Sequence, residues 1–194
     1  MHSFLRKTLI AASLTLAVTT ASAGKFVIEL AQPLPTLNSA NLQSQNISIE
    51  QSFAAGAGSY AVFSADSRDT LSTFLQQADI NPEKISEVLF VNSPTLGGGD
   101  PAGDSPRTGH QVFVIERTIP GVGFFGLEKK TKISKGSNKA IAKLGDIIEW
   151  DHSYLTSEGT YCVYRADSPE TLREHGALAG APIGKITPVE QQTY

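Results

Sequence analysis

One pattern occurs twice in this chain, at a constant spacing of 101 residues. SYAVFSADS, Ser59 to Ser67, matches TYCVYRADS, Thr160 to Ser168, and the match runs on without a gap from Asp69 to Val88 against Glu170 to Val189. Upstream, KFVIEL at Lys25 to Leu30 matches VFVIER at Val112 to Arg117 with a spacing of 87, so the second copy carries 14 extra residues, around Gly121 to Lys135. A sequence written twice specifies one supersecondary unit built twice, and any fold proposed for the chain must contain that unit in duplicate.

The unit reads strand, helix, strand, strand, helix, strand. In the second copy the strands fall at Gln111 to Thr118, Ile147 to Leu155, Thr160 to Ala166 and Lys185 to Glu190, with helices near Ser134 to Leu144 and Pro169 to Ala179. Gly145 sits where a helix C-cap belongs, and Ser157 to Gly159 is a hairpin turn. This order predicts an α+β fold of two ferredoxin-like βαββαβ halves. The halves are expected at 24–92 and 110–194, packed as a pseudo-dimer within one chain, so that the protein is a monomer in solution. The first-copy helix region, Thr36 to Gln45, is only weakly apolar. Between the halves, 93–109 is rich in glycine and proline and reads as a linker; as a flexible coil it would reach about 25 Å. Asp100 and Asp104 within it lack the spacing of a calcium loop and read as solvated linker residues.

Residues 1–23 have the parts of an export signal: Arg6 and Lys7, an apolar run from Leu9 to Val18, and Ala21-Ser22-Ala23 before the cut. The run is too short to span a bilayer, so a periplasmic or secreted protein starting at Gly24 is expected, without a membrane span. It would keep 14 basic residues against 19 acidic, a net charge of −5, which argues against a nucleic-acid partner. In an oxidising compartment the single cysteine, Cys162, cannot form an internal bridge.

Cys162 lies on a strand and His175 on the helix after it, 13 residues on. Thiolate and imidazole are good ligands for late divalent ions such as nickel, zinc or copper. Glu116, on the strand expected beside Cys162, is the natural carboxylate. His152, alternating with Trp150 and Tyr154, offers a second imidazole. In the first copy Ala61 stands for Cys162 and Phe74 for His175, while Glu29 keeps the place of Glu116, so a metal site is expected in the second half alone. Each residue also has a plainer reading. Cys162 can be a core residue, His175 a hydrogen-bonded helix residue, Glu116 a strand-end ion pair with Arg117, and His152 a solvated strand end.

The ERTIPG opening at Glu116 to Gly121 combines with the LG at Leu144, WxxSY at Trp150 to Tyr154, YCVY at Tyr161 to Tyr164 and EH at Glu174 and His175. Together they resemble a bacterial family of small ferredoxin-like proteins, long a domain of unknown function, of which at least one member binds nickel. The resemblance covers about the last 80 residues and implies a tandem arrangement with a degenerate first copy, a nickel-type divalent metal as cofactor, and a role in metal buffering, sensing or delivery. Two ferredoxin-like halves can also form a barrel that holds a small apolar ligand, and then Trp150, Tyr154, Tyr161 and Tyr164 line a pocket instead. The lysine-rich stretch from Lys129 to Lys143 reads as a solvated helix face or as a docking face for an anionic partner or the acidic first half, and Phe124 and Phe125 as a cover over a pocket or the interface between the halves. No GxSxG, HExxH or CxxC motif is present, so the sequence assigns no catalytic residue.

Overall fold

The structure, a computed structural model, describes residues 23–56 and 58–192. The expected export signal, 1–23, lies outside the described residues except for Ala23. In chain order the elements are β1 (Gly24–Leu30), α1 (Ser39–Ser44), β2 (Ser48–Ala54), β3 (Ser59–Ala65), α2 (Arg68–Gln77), β4 (Lys84–Val88), β5 (Phe90–Asn92), β6 (Gln111–Thr118), α3 (Leu127–Leu144), β7 (Ile148–Leu155), β8 (Gly159–Ala166), α4 (Pro169–Ala179) and β9 (Ile186–Gln192). Among the described residues, no helix is long and apolar enough to cross a membrane.

The strands form one antiparallel sheet in the order β4-β1-β3-β2-β9-β6-β8-β7-β5. Within it β4-β1-β3-β2 and β9-β6-β8-β7 follow the same ferredoxin-like plan. Two long strands join the groups. β9 pairs with β6 up to Val189 and then with β2, where Ala54 faces Glu190. β4 pairs with β1, and after Leu89, whose N–H donates to the Leu155 carbonyl at 2.8 Å, the chain continues as β5 on β7. The two ends of the sheet are thus neighbouring stretches of one segment, and the sheet returns on itself.

Strand alternation sorts the core into three layers. Phe26, Ile28, Ala61 and Phe63 pack outward against α1 and α2, while Phe113, Ile115, Cys162 and Tyr164 pack outward beneath α3 and α4. Val27, Val62, Val114 and Val163 point inward, between the two groups of strands. Ser67 and Ser168 cap α2 and α4 by accepting from Thr70 N and Thr171 N. α4 stops at Gly180, whose φ of 64° is left-handed. α1 is a six-residue helix, matching the weak apolar pattern there.

α3 differs from expectation. It starts at Leu127, about two turns before Ser134. Its buried face is Lys130, Ser134, Ser137 and Ala140, so apolar periodicity under-reports a helix whose inner face is largely polar. The start of the 93–109 segment docks on it: Pro94–Gly97 forms a 3₁₀ turn, Asn138 Nδ2 donates to the Pro94 carbonyl at 2.9 Å, and a Cβ at Gly97 would come within 2.6 Å of the Ser134 backbone. The glycines there permit close packing on α3 as well as supplying flexibility.

Inside the closed sheet, the two groups of strands exchange one contact in both directions. Tyr60 OH donates to Glu116 Oε1 at 2.5 Å, and Tyr161 OH donates to Glu29 Oε1 at 2.5 Å. Thr187 and Ser86 hold the same two hydroxyls at 3.0 and 3.1 Å, and the rings meet edge-on at 6.2 Å. Burial and the facing carboxylates push both phenols up, Tyr60 to about 12. Both tyrosines therefore stay protonated as donors. Changing Tyr161→Phe should cost about 1.5–3 kcal/mol, the range for a hydrogen bond to a charged group, as measured by urea unfolding at pH 7. A loss under about 0.5 kcal/mol, typical of a neutral surface change, would mean the exchange does not hold the halves together.

Candidate functional site

β8 is buried on both faces along its whole length. Tyr161 and Val163 turn inward, whereas Thr160, Cys162 and Tyr164 turn outward beneath α3 and α4. On β6 the residue facing Cys162 is Ile115, so Arg117, two further on, shares the outward face and Glu116 does not. β7 carries a bulge between Trp150 and His152 that shifts the alternation by one. Trp150 and Ser153 then both face outward, joined by Trp150 Nε1 donating to Ser153 Oγ at 3.0 Å, while His152 and Tyr154 face the other way with rings 4.8 Å apart.

Between this outward face and the two helices lies a chamber of about 700 Å³. Its floor is Arg117, Trp150, Cys162 and Tyr164. α3 supplies Lys130, Ile133, Gly136 and Ser137 above it, α4 supplies His175, and Ala181 and Pro182 close one end. The extra residues of the second copy, with Val122 and the first turns of α3, build much of the wall. No aspartate or glutamate lines it.

His175 is 1% exposed, with Nε2 at 3.1 Å from Ser137 Oγ, which in turn is 3.2 Å from Tyr164 OH. Among the described residues, its Nδ1 has no hydrogen-bond partner. Burial first, and the Arg117 charge second, lower its pKa to about 4 against a small opposing effect of Ser137, so at neutral pH the ring is uncharged. Burial also pushes the Tyr164 phenol up. Arg117 is 6% exposed and donates from Nη1 to the Pro182 carbonyl at 2.6 Å. Burial opposes its charge, while electrostatic and hydrogen-bond interaction with Cys162 and Tyr164 holds its pKa above the ordinary value. Cys162 Sγ is 3.1 Å from Thr160 Oγ1, and the Trp150 and Tyr164 rings stack at 6.2 Å.

The residues expected as metal ligands are thus divided. Cys162 and His175 reach the same chamber, but Glu116 and His152 are on the opposite face of the sheet. Glu116 accepts from Tyr60, and His152 Nδ1 lies 2.9 Å from Asp151 Oδ1. Among the described residues, no group of three or more His, Cys, Asp or Glu is placed to hold a metal ion. The expected aromatic lining divides the same way: Trp150 and Tyr164 line the chamber, whereas Tyr161 binds Glu29 and Tyr154 donates to Gln51 Oε1 at 2.7 Å. Two expectations are corrected here: Arg117 is not the ion-pair partner of Glu116 and Lys130 is not on a solvated face, since both are buried at the chamber, where Ser137 joins them without a signal in the sequence. The parity of β6 could have found Arg117, since Ile115 and Arg117 must share a face.

The strand registers show what occupies the same places in the first half. Ile28 faces Ala61 as Ile115 faces Cys162, Phe26 faces Phe63 as Phe113 faces Tyr164, and Ile49 faces Phe63 as Trp150 faces Tyr164. Leu30 matches Arg117, facing Ser59 as Arg117 faces Thr160. Phe26, Ile28, Leu30, Ala61 and Phe63, with Phe74 at the place of His175, belong to one apolar cluster, and Ile49 packs against it partly buried. A filled core in one half is a polar-floored chamber in the other.

A family model described as nickel responsive protein SCO4226-like matches residues 113–189. No curated protein matches the chain. Among solved structures, a chlorite dismutase variant from Candidatus Nitrospira defluvii is similar with a TM-score of 0.46 and 10% identity, covering 91% of this chain and 93% of that one. A second variant of that enzyme has a TM-score of 0.46 and 9% identity, covering 89% and 93%.

His175 sets a dependence of stability on pH. In the unfolded chain it takes a proton below its ordinary value of 6.5, and in the fold only near 4. Stability is then complete above about 6.5 and falls as pH drops through that window, by up to about 3 kcal/mol. Urea midpoints at pH 7 and pH 5 should differ less in His175→Phe, which copies Phe74, than in the parent. Identical differences would show that the imidazole is not held neutral.

Proposed function

We propose that this chain is an exported binding protein that holds a small organic molecule in the chamber under α3 and α4. It is built as a tandem of ferredoxin-like halves, 24–92 and 110–194, that form a pseudo-dimer within a monomer. The first half is a scaffold: it has its own cavity of about 750 Å³ between α1 and β2, but without the cysteine, histidine and arginine of the second. The carrying observation is the contrast at matched positions: Leu30, Ala61, Phe63 and Phe74 are buried in an apolar core where Arg117, Cys162, Tyr164 and His175 line a chamber of about 700 Å³. That volume lies in the range of small-molecule sites, and an apolar enclosure with a few polar groups aimed inward is their usual form. The reciprocal Tyr–Glu contacts support the tandem reading, since each half gives one donor and one acceptor.

A metal reading rests on the nickel-responsive family match over 113–189. Cys162 and His175 are chemically suitable donors. The arrangement around them does not suit a resident divalent ion. The Arg117 charge lies beside the thiol, Ser137 occupies His175 Nε2, and Glu116 and His152 are on the other face. Tight late-metal sites use three or four protein donors, and two are available here. Within this proposal the chain's relation to nickel is therefore not storage on these four residues.

Gly136 lines the chamber, and a Cβ there meets nothing within 4 Å, so a side chain can be added at this position without a clash at its first atom. The apolar dye 8-anilinonaphthalene-1-sulfonate should brighten on the folded parent and much less on Gly136→Phe, while nickel titrated calorimetrically should show no stoichiometric uptake. Undiminished dye binding by Gly136→Phe would place the dye elsewhere and count against the chamber. Stoichiometric nickel uptake abolished by Cys162→Ala would favour the metal reading.

A further inference from the structure

The chamber's charge specifies what it takes. Two of its cations are almost fully buried. Arg117 is 6% exposed and Lys130 7%. Arg117 donates to the Pro182 carbonyl and has Cys162 and Tyr164 beside it, and Lys130 Nζ donates to the Gly123 carbonyl at 2.9 Å and sits 4.3 Å above the Phe90 ring. Neither has a carboxylate partner among the described residues. This chain treats a buried guanidinium differently elsewhere. Arg165, also 6% exposed, is paired with Glu149 at 3.3 Å and Asp151 at 3.0 Å. A buried charge without a counter-charge is strongly disfavoured, so one kept at a chamber wall marks the place of an external counter-charge. Lys129 and Lys132 near the chamber add to the same potential, and no acidic lining residue opposes it.

The rest of the lining sets the body of the ligand. Trp150 and Tyr164 present a stacked aromatic pair, and Val122, Ile133 and Leu155 add apolar surface. His175 is neutral, so its ring adds a polar edge without charge.

Resting on the small-molecule reading above, we propose that the chamber binds a flat, mainly apolar monoanion, with its carboxylate or sulfonate on Arg117 and its body between the Trp150–Tyr164 pair and α3. Small inorganic anions satisfy the charge but leave the apolar wall uncovered. Metal cations meet repulsion at the same guanidinium.

The test uses a matched pair of probes, 2-naphthoate and the neutral 2-naphthamide, titrated calorimetrically into the full mature chain. The parent should bind the naphthoate about tenfold to a hundredfold more tightly, the range for a hydrogen bond to a charged group. In Arg117→Leu, which copies the Leu30 of the first half, that preference should fall to within about threefold while the amide binds as before. Arg117→Lys should retain part of the preference. Equal binding of the two probes by the parent overturns the anion assignment and leaves the chamber reading in place. Loss of both probes in Arg117→Leu, with an unchanged unfolding midpoint, shows that Arg117 shapes the chamber through Pro182 and also overturns it. Failure of the parent to bind either probe sinks the flat-monoanion class, while the dye experiment with Gly136→Phe decides the chamber separately.

Discussion

Two reciprocal hydrogen bonds, Tyr60 to Glu116 and Tyr161 to Glu29, tie this molecule together at its centre. They lie where two groups of antiparallel strands present their inner faces to each other. Each gives a half-buried carboxylate a hydroxyl donor, and Glu116 has Lys185 beside it at 3.4 Å as well. Crossing strands complete the join, since β9 serves β6 and then β2, and the segment from β4 through β5 serves β1 and then β7. With its inner face occupied in this way, the sheet leaves only its outer faces to vary.

The two outer faces have varied in opposite directions. Over β1 and β3, Phe63, Leu71, Phe74 and Leu75 make an ordinary close-packed core. Over β6 and β8, Tyr164 and His175 stand for Phe63 and Phe74, Gly176 stands for Leu75, Leu172 keeps the place of Leu71, and α3 is much longer than α1, so the helices roof a space. The lengthened helix turns Lys130, Ser134 and Ser137 inward. Ser134 hydroxyl donates to Asn92 Oδ1 at 2.8 Å, and Ser137 bridges His175 and Tyr164. A buried polar network that is nearly satisfied, beside two cations that lack carboxylates, fits a binding site held open in advance better than a core.

Much of this was legible in the sequence because a repeat is a statement about topology. The spacing of 101 residues fixed the correspondence of β3 with β8 and of α2 with α4, and the bounds Gln111–Thr118 and Pro169–Ala179 were readable from capping and alternation. The replacement of both Cys162 and His175 in the first copy singled out one face of the second half, and the structure brings these two side chains to the same chamber there. What failed to be readable was parity. Glu116 differs from Arg117 by one residue and therefore by a whole face, and the β7 bulge, invisible in composition, turned His152 and Tyr154 away from Trp150. The polar inner face of α3 hid both its early start and its part in the chamber.

Trp150 is the only tryptophan in the chain, and its indole N–H lies in the chamber wall. The nitrogen–proton correlation spectrum of the labelled protein therefore has one indole signal, which reports on that wall alone. Titrating 2-naphthoate should move this signal to a saturating end point together with backbone amides of α3 and α4, while signals from β1 to α2 stay fixed. An indole signal that stays in place while naphthoate shifts other regions would contradict a ligand chamber in the second half.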